Sequence, residues 1–301
     1  MLLSAAAAAS LLLPGVRAWG AMGHETVAYV ATDFVAARTR DYFQDLLADT
    51  SADYLAAVAS WADPYGHTEA GKFSSGFHYI DAQDSPPSSC GVDLARDCGE
   101  GGCITNRLLD ADLESSERQM AAKVCTIALR IYLMVIHFLG DIGQPLHNEN
   151  LEEGGNGIPV EYSGDETNLH HVWDSEIPES VSGGSSMLSA RSWAASLTTG
   201  AYLFPFGPKR VHTIKSGIYE SQAAGWVNEL SLTDAQNIAL GWATESNAYV
   251  CSTVFVGGVS AVEDQDLSGD YTTTAQPVVS LQMAKQGYRL AKWLDAIASA
   301  V

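Results

Sequence analysis

Apolar residues recur at spacings of three and four along most of this chain, which is the period of one face of an α-helix. Loops rich in Gly, Pro, Ser and Asp separate these segments at 82–103, 152–168 and 179–186. Short strand patterns occur only at 78–80 and 158–162. We therefore expect an all-α, mainly helical fold, a helix bundle whose loops carry the chemistry. The predicted helices are 23–48, 52–62, 118–141, 187–199, 232–256 and 276–299.

Two of these helices carry a recognisable start signal. Thr233 and Gln236 have the spacing of a capping box, in which each side chain bonds to the backbone of the other residue. Pro277 suits the first turn of a helix, where its missing N–H costs nothing. The last two helices are therefore predicted to begin at these positions.

The first eighteen residues, MLLSAAAAASLLLPGVRA, have the apolar centre and small final residue of a secretory signal peptide. A buried N-terminal helix is the alternative. Cleavage after Ala18 would make Trp19 the mature N-terminus and leave 19–301 as a single domain. The apolar segment 121–140 contains charged side chains, so we interpret it as a buried helix and not a membrane span. We expect a secreted, extracellular protein, monomeric and with no membrane attachment once the signal is removed.

Charge and cysteine content add two constraints. The formal net charge of −20 lacks the basic footprint usual in nucleic-acid-binding proteins, although bound metal ions can reverse the local field. Five cysteines in a secreted chain predict disulfides and one remaining thiol. Cys98 and Cys103 bracket a short glycine-rich loop that could close easily, and Cys125 lies in an apolar helix as the expected free, buried thiol.

Histidine and aspartate recur at helical spacing. His137 and Asp141 lie four residues apart, as do His170 and Asp174, so each pair shares a helix face. Taken alone, His137 could simply donate to a backbone carbonyl. His147 follows soon after the first pair, which favours a second metal nearby. Together these residues predict more than one zinc site and metal-assisted hydrolysis.

Other candidate metal ligands are convincing only together with these histidines and aspartates. Asp63 and His78 are weak singly, and His24 lies five residues after Trp19. A free α-amine has a pKa of about 7.7–8.0 and can ligate a metal once deprotonated. Of the remaining histidines, His67 and His212 are expected at the surface, and His171 either at the surface or supporting a ligand.

Several segments together resemble the secreted zinc-dependent single-strand-specific nucleases of fungi and plants, the S-one/P-one type. They cover the chain from residue 19 onward in order, and nine ligand positions match. The matching segments are WGAMGHETVAYVA, SWADP, FHYIDAQDSPPSSCGVD, HFLGDIGQPLHNENLEEGGNG, TNLHHVWD and GYRLAKWLDAIA.

The resemblance implies a helical fold shared with bacterial zinc phospholipases C and a cluster of three Zn²⁺ ions. The first zinc would take Asp63, His78, His137 and Asp141. The second would take the Trp19 amine and carbonyl, His24 and the bridging Asp141. The third would take His147, His170 and Asp174. The resemblance also implies disulfides Cys90–Cys251 and Cys98–Cys103.

The implied activity is endonucleolytic hydrolysis of single-stranded DNA and RNA to 5′-phosphate products, with 3′-nucleotidase activity on 3′-nucleotides. The implied base pocket comprises Tyr79, which could stack on a base, Asp81, and the loop residues Glu153, Gly154, Gly155 and Asn156. Two alternatives remain: a zinc phospholipase C, and a catalytically weakened secreted binding protein.

One position departs from the resembled family. A basic residue commonly stands three residues after the aspartate that matches Asp63, but here the position is Gly66. His67 follows it and is a candidate for the missing charge. The predicted catalytic residues are therefore Asp63, Asp141 and His67.

Overall fold

A computed structural model describes residues 19–107, 121–199, 220–227 and 230–301. The expected signal peptide and His212 lie outside the described residues. Helices dominate, which confirms the predicted fold class. Within these residues no helix combines the length and apolar character needed to cross a bilayer. The helices are α1 (Ala21–Thr32), α2 (Ala37–Leu47), α3 (Ala62–Gly66), α4 (Leu94–Asp97), α5 (Ile104–Arg107), α6 (Ala121–Asp141), α7 (Leu169–His171), α8 (Ile177–Ser182), α9 (Met187–Thr199), α10 (Glu220–Trp226), α11 (Ala235–Tyr249) and α12 (Asp270–Ala300).

Short turns of other helical types connect these helices and carry several candidate site residues. The 3₁₀ turns are Ala56–Val58, Lys72–His78, Pro145–Asn148, Leu232–Asp234 and Val259–Ala261. The π-helical turns are Val172–Glu176 and Val250–Val254. π-turns inside helical segments often mark functional sites, because they redirect side chains that a regular helix would place elsewhere.

The core forms where α1 packs between α9 and α12, with α6 packed against α12. Large side chains such as Phe138, Trp173 and Trp293 are fully buried there. Helices α1 and α12 approach closely because α12 has Gly287 at the crossing. A Cβ atom at that position would lie 2.3 Å from Val30 Cβ.

Two predicted helices have different bounds in the structure. The segment 23–48 is broken after Thr32 and restarts at Ala37, and 52–62 contains only the Ala56–Val58 turn. Asp33 ends α1, and its backbone N–H bonds to Tyr29 O and Val30 O. The first predicted helix is therefore two helices with a break at 33–36, and the second predicted helix is wrong.

The two predicted start signals are wrong. Helix α12 begins at Asp270, so Pro277 lies inside it and not in its first turn. The bond lost at Pro277 would have reached the Thr273 carbonyl, and both residues are exposed to water. Thr233 lies in a 3₁₀ turn with its hydroxyl bonded to Ser231 Oγ at 2.7 Å, so it does not cap α11.

A single two-stranded antiparallel sheet is present among the described residues. Strand β1 (Pro159–Tyr162) pairs with β2 (Asp165–Asn168), which confirms the pattern at 158–162. The pattern at 78–80 does not form a strand, because His78 ends a 3₁₀ turn and Ile80 N–H bonds to His147 O at 2.9 Å. This bond places residues 79–82 beside the segment that follows α6.

Both disulfides implied by the resemblance are present. Cys90 is bonded to Cys251, which joins the loop after residue 82 to the π-turn that follows α11. Cys98 is bonded to Cys103 across the glycine-rich loop. Cys125 lies in α6, but its side chain is outside the described part of the chain.

Candidate metal centre

The C-terminal end of α6 presents His137 and Asp141 one turn apart on the same face. His24 from α1, Asp63 from α3 and His78 from the end of a 3₁₀ turn converge on them. The nitrogen-to-oxygen distances within this Asp141 group are 3.1 Å for His24 Nε2–Asp141 Oδ1, 3.0 Å for His78 Nδ1–Asp141 Oδ2, 3.4 Å for His137 Nε2–Asp141 Oδ2 and 3.2 Å for His137 Nε2–Asp63 Oδ1.

A second group forms around Asp174. His147 comes from the 3₁₀ turn after α6, His170 from α7, and Asp174 from the π-turn that follows. His170 Nε2 lies 3.1 Å from His147 Nε2 and 3.2 Å from Asp174 Oδ2. The structure thus brings eight of the nine predicted ligand residues into two buried groups, with Trp19 considered below.

Backbone carbonyls orient three of the imidazoles. His137 Nδ1 lies 2.8 Å from Ala59 O, His147 Nδ1 lies 2.8 Å from His78 O, and His170 Nδ1 lies 2.7 Å from Gly154 O. A carbonyl can only accept, so each Nδ1 donates and Nε2 is the ring nitrogen that faces the group and is open to a metal. This is the arrangement seen around metal-ligating histidines.

The Asp141 group has a strong electrostatic preference for positive charge. Burial opposes ionisation of Asp141, but the positive charge on His137 and the neighbouring imidazoles of His24 and His78 outweigh it and hold its pKa well below the usual range. Burial likewise opposes protonation of His137, yet the carboxylates of Asp141 and Asp63 raise its pKa to about 9. A site that draws a proton this strongly will also attract a dication.

Unsatisfied polar atoms show that the Asp141 group fits a metal ion. His24 Nε2, Asp63 Oδ1 and Asp141 Oδ1 are buried and make no hydrogen bond with the described residues. His24 Nε2 and Asp141 Oδ1 are only 3.1 Å apart but are not aligned as donor and acceptor. Buried polar groups without partners are costly, whereas imidazole nitrogen and carboxylate oxygen are ordinary zinc ligands.

Side chains from distant parts of the sequence hold the end of α6 that carries these ligands. Trp19 Nε1 donates to Gly140 O at 2.9 Å, which places Trp19 beside the Asp141 group. The Gly143 carbonyl accepts from Gln282 Nε2 at 2.8 Å and Ser246 Oγ at 2.9 Å. The Gln286 amide, in the orientation that satisfies both its ends, donates to Leu139 O at 3.1 Å. The last carbonyls of a helix lack intrahelical donors, and here side chains bond to two of them, Leu139 O and Gly140 O, and to the Gly143 carbonyl in the turn that follows.

Gln144 performs a similar task for the Asp174 group. It is fully buried, and its Nε2 donates to Asp174 Oδ1 at 2.7 Å while its Oε1 accepts from Leu146 N at 2.6 Å. Sequence reasoning missed Gln144, Gln282 and Gln286. Their only signal is that glutamines occupy buried positions in apolar segments, where each amide must find partners.

The predicted base-pocket residues lie on two neighbouring segments. Tyr79 and Asp81 are half-buried, and Asn150 N–H bonds to Ala82 O at 3.3 Å between the segments. Burial and the Asp81 carboxylate raise the pKa of Tyr79, so its hydroxyl stays protonated. Burial and Asp97 raise the pKa of Asp81.

The glycine loop adjoins the Asp174 group. Glu153, Gly154 and Gly155 all have left-handed backbone conformations, with φ of 56°, 62° and 83°. A Cβ atom on Gly154 would lie 2.8 Å from Leu146 O, so glycine permits this close approach. The Gly154 carbonyl then orients His170, and Asn156 Nδ2 donates to Glu153 O at 2.8 Å.

Gly66 and His67, where the sequence departs from the resembled family, lie in different environments. Gly66 is buried, and a Cβ atom there would lie 3.8 Å from His78 Nε2, an ordinary contact. His67 is exposed at the C-terminal end of α3. His171 is also exposed, as expected, with Nε2 3.6 Å from Glu176 Oε1. A larger side chain at position 66 could therefore reach the edge of the Asp141 group.

Comparison with known proteins agrees with this geometry. The chain is similar to Nuclease S1 of Aspergillus oryzae, with 45% identity over 305 aligned positions that cover 99% of this chain and 98% of that protein. It is 39% identical to Nuclease P1 of Penicillium citrinum, over 93% of this chain and 97% of that protein. Endonuclease 4 of Arabidopsis thaliana is 28% identical over 96% of this chain and 92% of that protein. The family model described as S1/P1 Nuclease matches residues 19–299, and the chain belongs to the S1/P1 nuclease family.

Proposed function

We propose that this protein is a secreted, zinc-dependent endonuclease that hydrolyses phosphodiester bonds of single-stranded DNA and RNA to 5′-phosphate products and also acts on 3′-nucleotides. Family membership makes it a nuclease, and its His and Asp groups make it metal-dependent. The observation that carries the proposal is the pair of adjacent buried groups around Asp141 and Asp174. One ligand segment, 137–147, serves both.

Three zinc ions fit the available donors. Asp63, His78, His137 and Asp141 would hold the first, and His147, His170 and Asp174 the third. His24, Asp141 and the amine and carbonyl of a processed Trp19 would hold the second, which makes Asp141 a bridge. When bound, the ions would supply positive charge that neutralises the phosphodiester and lowers the pKa of water.

The chain's own residues orient the reactants around that charge. The Asp63 side chain is 12% exposed, whereas those of Asp141 and His137 are fully buried, so the group opens to solvent on the Asp63 side. We assign Asp63 the role of orienting the attacking water through its carboxylate. Asp141 keeps the group together by contacting imidazoles from α1, the 3₁₀ turn and α6. His67, exposed at the end of α3, would contact the phosphate.

Base recognition would use Tyr79 and Asp81. The Tyr79 ring can stack on any base, and Asp81 can hydrogen-bond to a base edge. The loop Glu153–Gly154–Gly155–Asn156 would form the opposite wall. Bases inside a duplex are not available for such contacts, which explains a preference for single strands.

Secretion and chain organisation complete the proposal. Residues 1–18 would be removed as a signal peptide, leaving 19–301 as one monomeric domain. The disulfides Cys90–Cys251 and Cys98–Cys103 support an oxidising, extracellular location.

The test compares substrates on the mature chain beginning at Trp19. We expect metal-dependent cleavage of single-stranded DNA, RNA and a 3′-nucleotide, 5′-phosphate ends, and three zinc ions by elemental analysis. Phosphatidylcholine should not be hydrolysed. Full activity in excess chelator after dialysis, or turnover of phosphatidylcholine alone, would contradict the proposal.

A matched chain with one extra residue before Trp19 tests the amine ligand. An amide nitrogen cannot replace a free amine, so this chain should lose one zinc and most of its activity. Unchanged zinc content would rule out the amine as a ligand while leaving the other two sites intact.

A further inference from the structure

An aromatic cluster lies next to the Asp141 group and is not used by the proposed chemistry. Trp61 stacks on Tyr65, with ring centroids 4.3 Å apart, and these residues flank Asp63 in sequence. Phe73 contacts Tyr65 edge-on at 6.5 Å and Phe77 at 5.9 Å. Phe77 immediately precedes the ligand His78. The cluster therefore begins at the ligands and runs outward to the surface.

Phe73 is the outer end of this cluster and is 62% exposed. Among the described residues it is the one aromatic side chain in the set of large exposed apolar residues. Its ring is held by edge contacts on both sides, and Tyr65 is fixed by the bond from its hydroxyl to Ala70 O at 3.1 Å. An exposed ring held in one orientation presents a flat face to solvent, which is the requirement for base stacking.

Basic side chains accompany these rings although the chain as a whole is strongly acidic. Arg130 is exposed, and its guanidinium lies 5.4 Å from the Tyr65 ring centroid. It stands two helical turns before His137 on α6, so it lies on the ligand-bearing side of that helix. Lys72 is also exposed, directly before Phe73. The chain has 16 Lys and Arg residues against 36 Asp and Glu, so Arg130 over the Tyr65 ring and an exposed Lys72 next to Phe73 in sequence are a local exception.

We propose that Phe73, supported by Tyr65 and Phe77 and flanked by Arg130 and Lys72, is a subsite that binds single-stranded nucleic acid beyond the nucleotide being cleaved. Phe73 stacks on a base, and the two cations contact phosphates. This inference rests on the proposed nuclease function. A strand leaving the Asp63 side of the Asp141 group meets these side chains next, which gives longer single strands tighter binding than dinucleotides.

The test measures kcat/KM for a dinucleotide and for a single-stranded oligonucleotide of about ten residues, with the zinc-loaded protein. Phe73→Leu keeps an apolar side chain but removes the flat ring. We expect the ratio of long to short kcat/KM to fall about fivefold or more, through KM, and Phe73→Trp to restore it. Leu188→Ala is the matched control, because Leu188 is 61% exposed on α9. It should leave the ratio unchanged.

Binding without catalysis gives an independent readout. Fluorescence anisotropy of a labelled phosphorothioate oligonucleotide, which resists cleavage, is followed on the zinc-loaded protein as salt increases. Arg130→Gln should weaken binding and reduce the salt slope by about 0.7, one phosphate contact on a single strand, whereas Phe73→Leu should weaken binding and leave the slope unchanged.

The outcomes separate the two claims. If wild-type protein cleaves neither substrate, the proposed function fails. If wild-type protein cleaves both substrates and Phe73→Leu has the same ratio of long to short kcat/KM as wild type, the proposed nuclease function stands and the Phe73 subsite is overturned. Equal loss of the ratio in Leu188→Ala and Phe73→Leu would also overturn it, because the effect would then be general to exposed apolar side chains.

Discussion

The Asp141 and Asp174 groups are built from the same residue types but differ in electrostatic balance. The Asp141 group sets two carboxylates against three imidazoles and raises the pKa of His137 to about 9. The Asp174 group has one carboxylate and two imidazoles whose Nε2 atoms are 3.1 Å apart. Burial, and then the neighbouring His170, lower the pKa of His147. The contrast therefore lies between His137, which the carboxylates of its group keep protonated, and His147, which burial and His170 keep neutral.

The two groups also differ in how their carboxylates are held. Asp141 Oδ1 makes no hydrogen bond with the described residues, whereas Asp174 Oδ1 accepts from Gln144. The position of the Asp141 carboxylate is set by α6, whereas the position of the Asp174 carboxylate is set by the side-chain amide of Gln144. A substitution that shifts α6 should therefore displace several ligands together, whereas a substitution of Gln144 should displace only Asp174.

The largest expected effect is that of Asp141→Asn. This change removes the charge that both ions of the Asp141 group would share, so activity should fall by at least about 100-fold and two zinc ions should be lost. Asp174→Asn is the matched variant and should lose one zinc ion. Elemental analysis and turnover on single-stranded DNA measure both. Equal zinc loss in the two variants would mean that Asp141 does not bridge.

Gln144→Leu tests the weaker support of the Asp174 group. Loss of the amide leaves Asp174 Oδ1 without its donor, so zinc affinity at that group should fall about 10- to 100-fold. The Asp141 group should keep its ions. Competition with a chelator of known affinity resolves the classes of bound zinc. Gln276→Leu on α12 is the control, since its amide contacts Ser180 Oγ. A uniform weakening of all sites would contradict the separation.

Proton release should distinguish the groups further. His137, with a pKa of about 9, holds a proton at pH 7.5 in the metal-free protein, and a dication must displace it. Zinc affinity of the Asp141 group should therefore rise about tenfold per pH unit up to about pH 9. His147 is already neutral at that pH and releases none.

Calorimetry in buffers of different ionisation enthalpy measures this release. Asp174→Asn reports on the Asp141 group, with between about one and two protons released at pH 7.5, from His137 and from the Trp19 amine. Asp141→Asn reports on the Asp174 group. If both variants release the same number of protons, the electrostatic contrast between the groups is wrong.

The smallest effect concerns the departure at Gly66. Lys at this position has room beside His78, so Gly66→Lys should raise turnover a few-fold on the alkaline side by adding a permanent charge. His67→Ala should lower turnover by a smaller factor, because an exposed side chain contributes little at the phosphate. Superimposable pH–rate profiles for wild type and His67→Ala would show that His67 plays no part.

The sequence revealed ligands best where they are local. His137 and Asp141, or His170 and Asp174, are recognisable because helical spacing alone places each pair on one face. His24, far away in the chain, needed the family resemblance. The donors to the α6 carbonyls could not be predicted, because a buried glutamine shows that a partner exists but not which carbonyl it is.

Local rules also misplaced some boundaries. Pro277 matches a helix start, but proline is tolerated inside α12 because the freed carbonyl at Thr273 faces water. Thr233 has capping-box spacing, yet its hydroxyl bonds to Ser231. Both errors arise because the same local pattern is compatible with more than one tertiary setting.

The side chains that hold the end of α6 come from segments far apart in the sequence. Trp19 precedes α1, whereas Gln282 and Gln286 lie on α12. A nascent chain thus contains every candidate ligand before it contains the amides that keep them in place. We expect the centre to mature only after α12 has been synthesised, so a nascent chain that lacks residues 282–286 should bind zinc weakly.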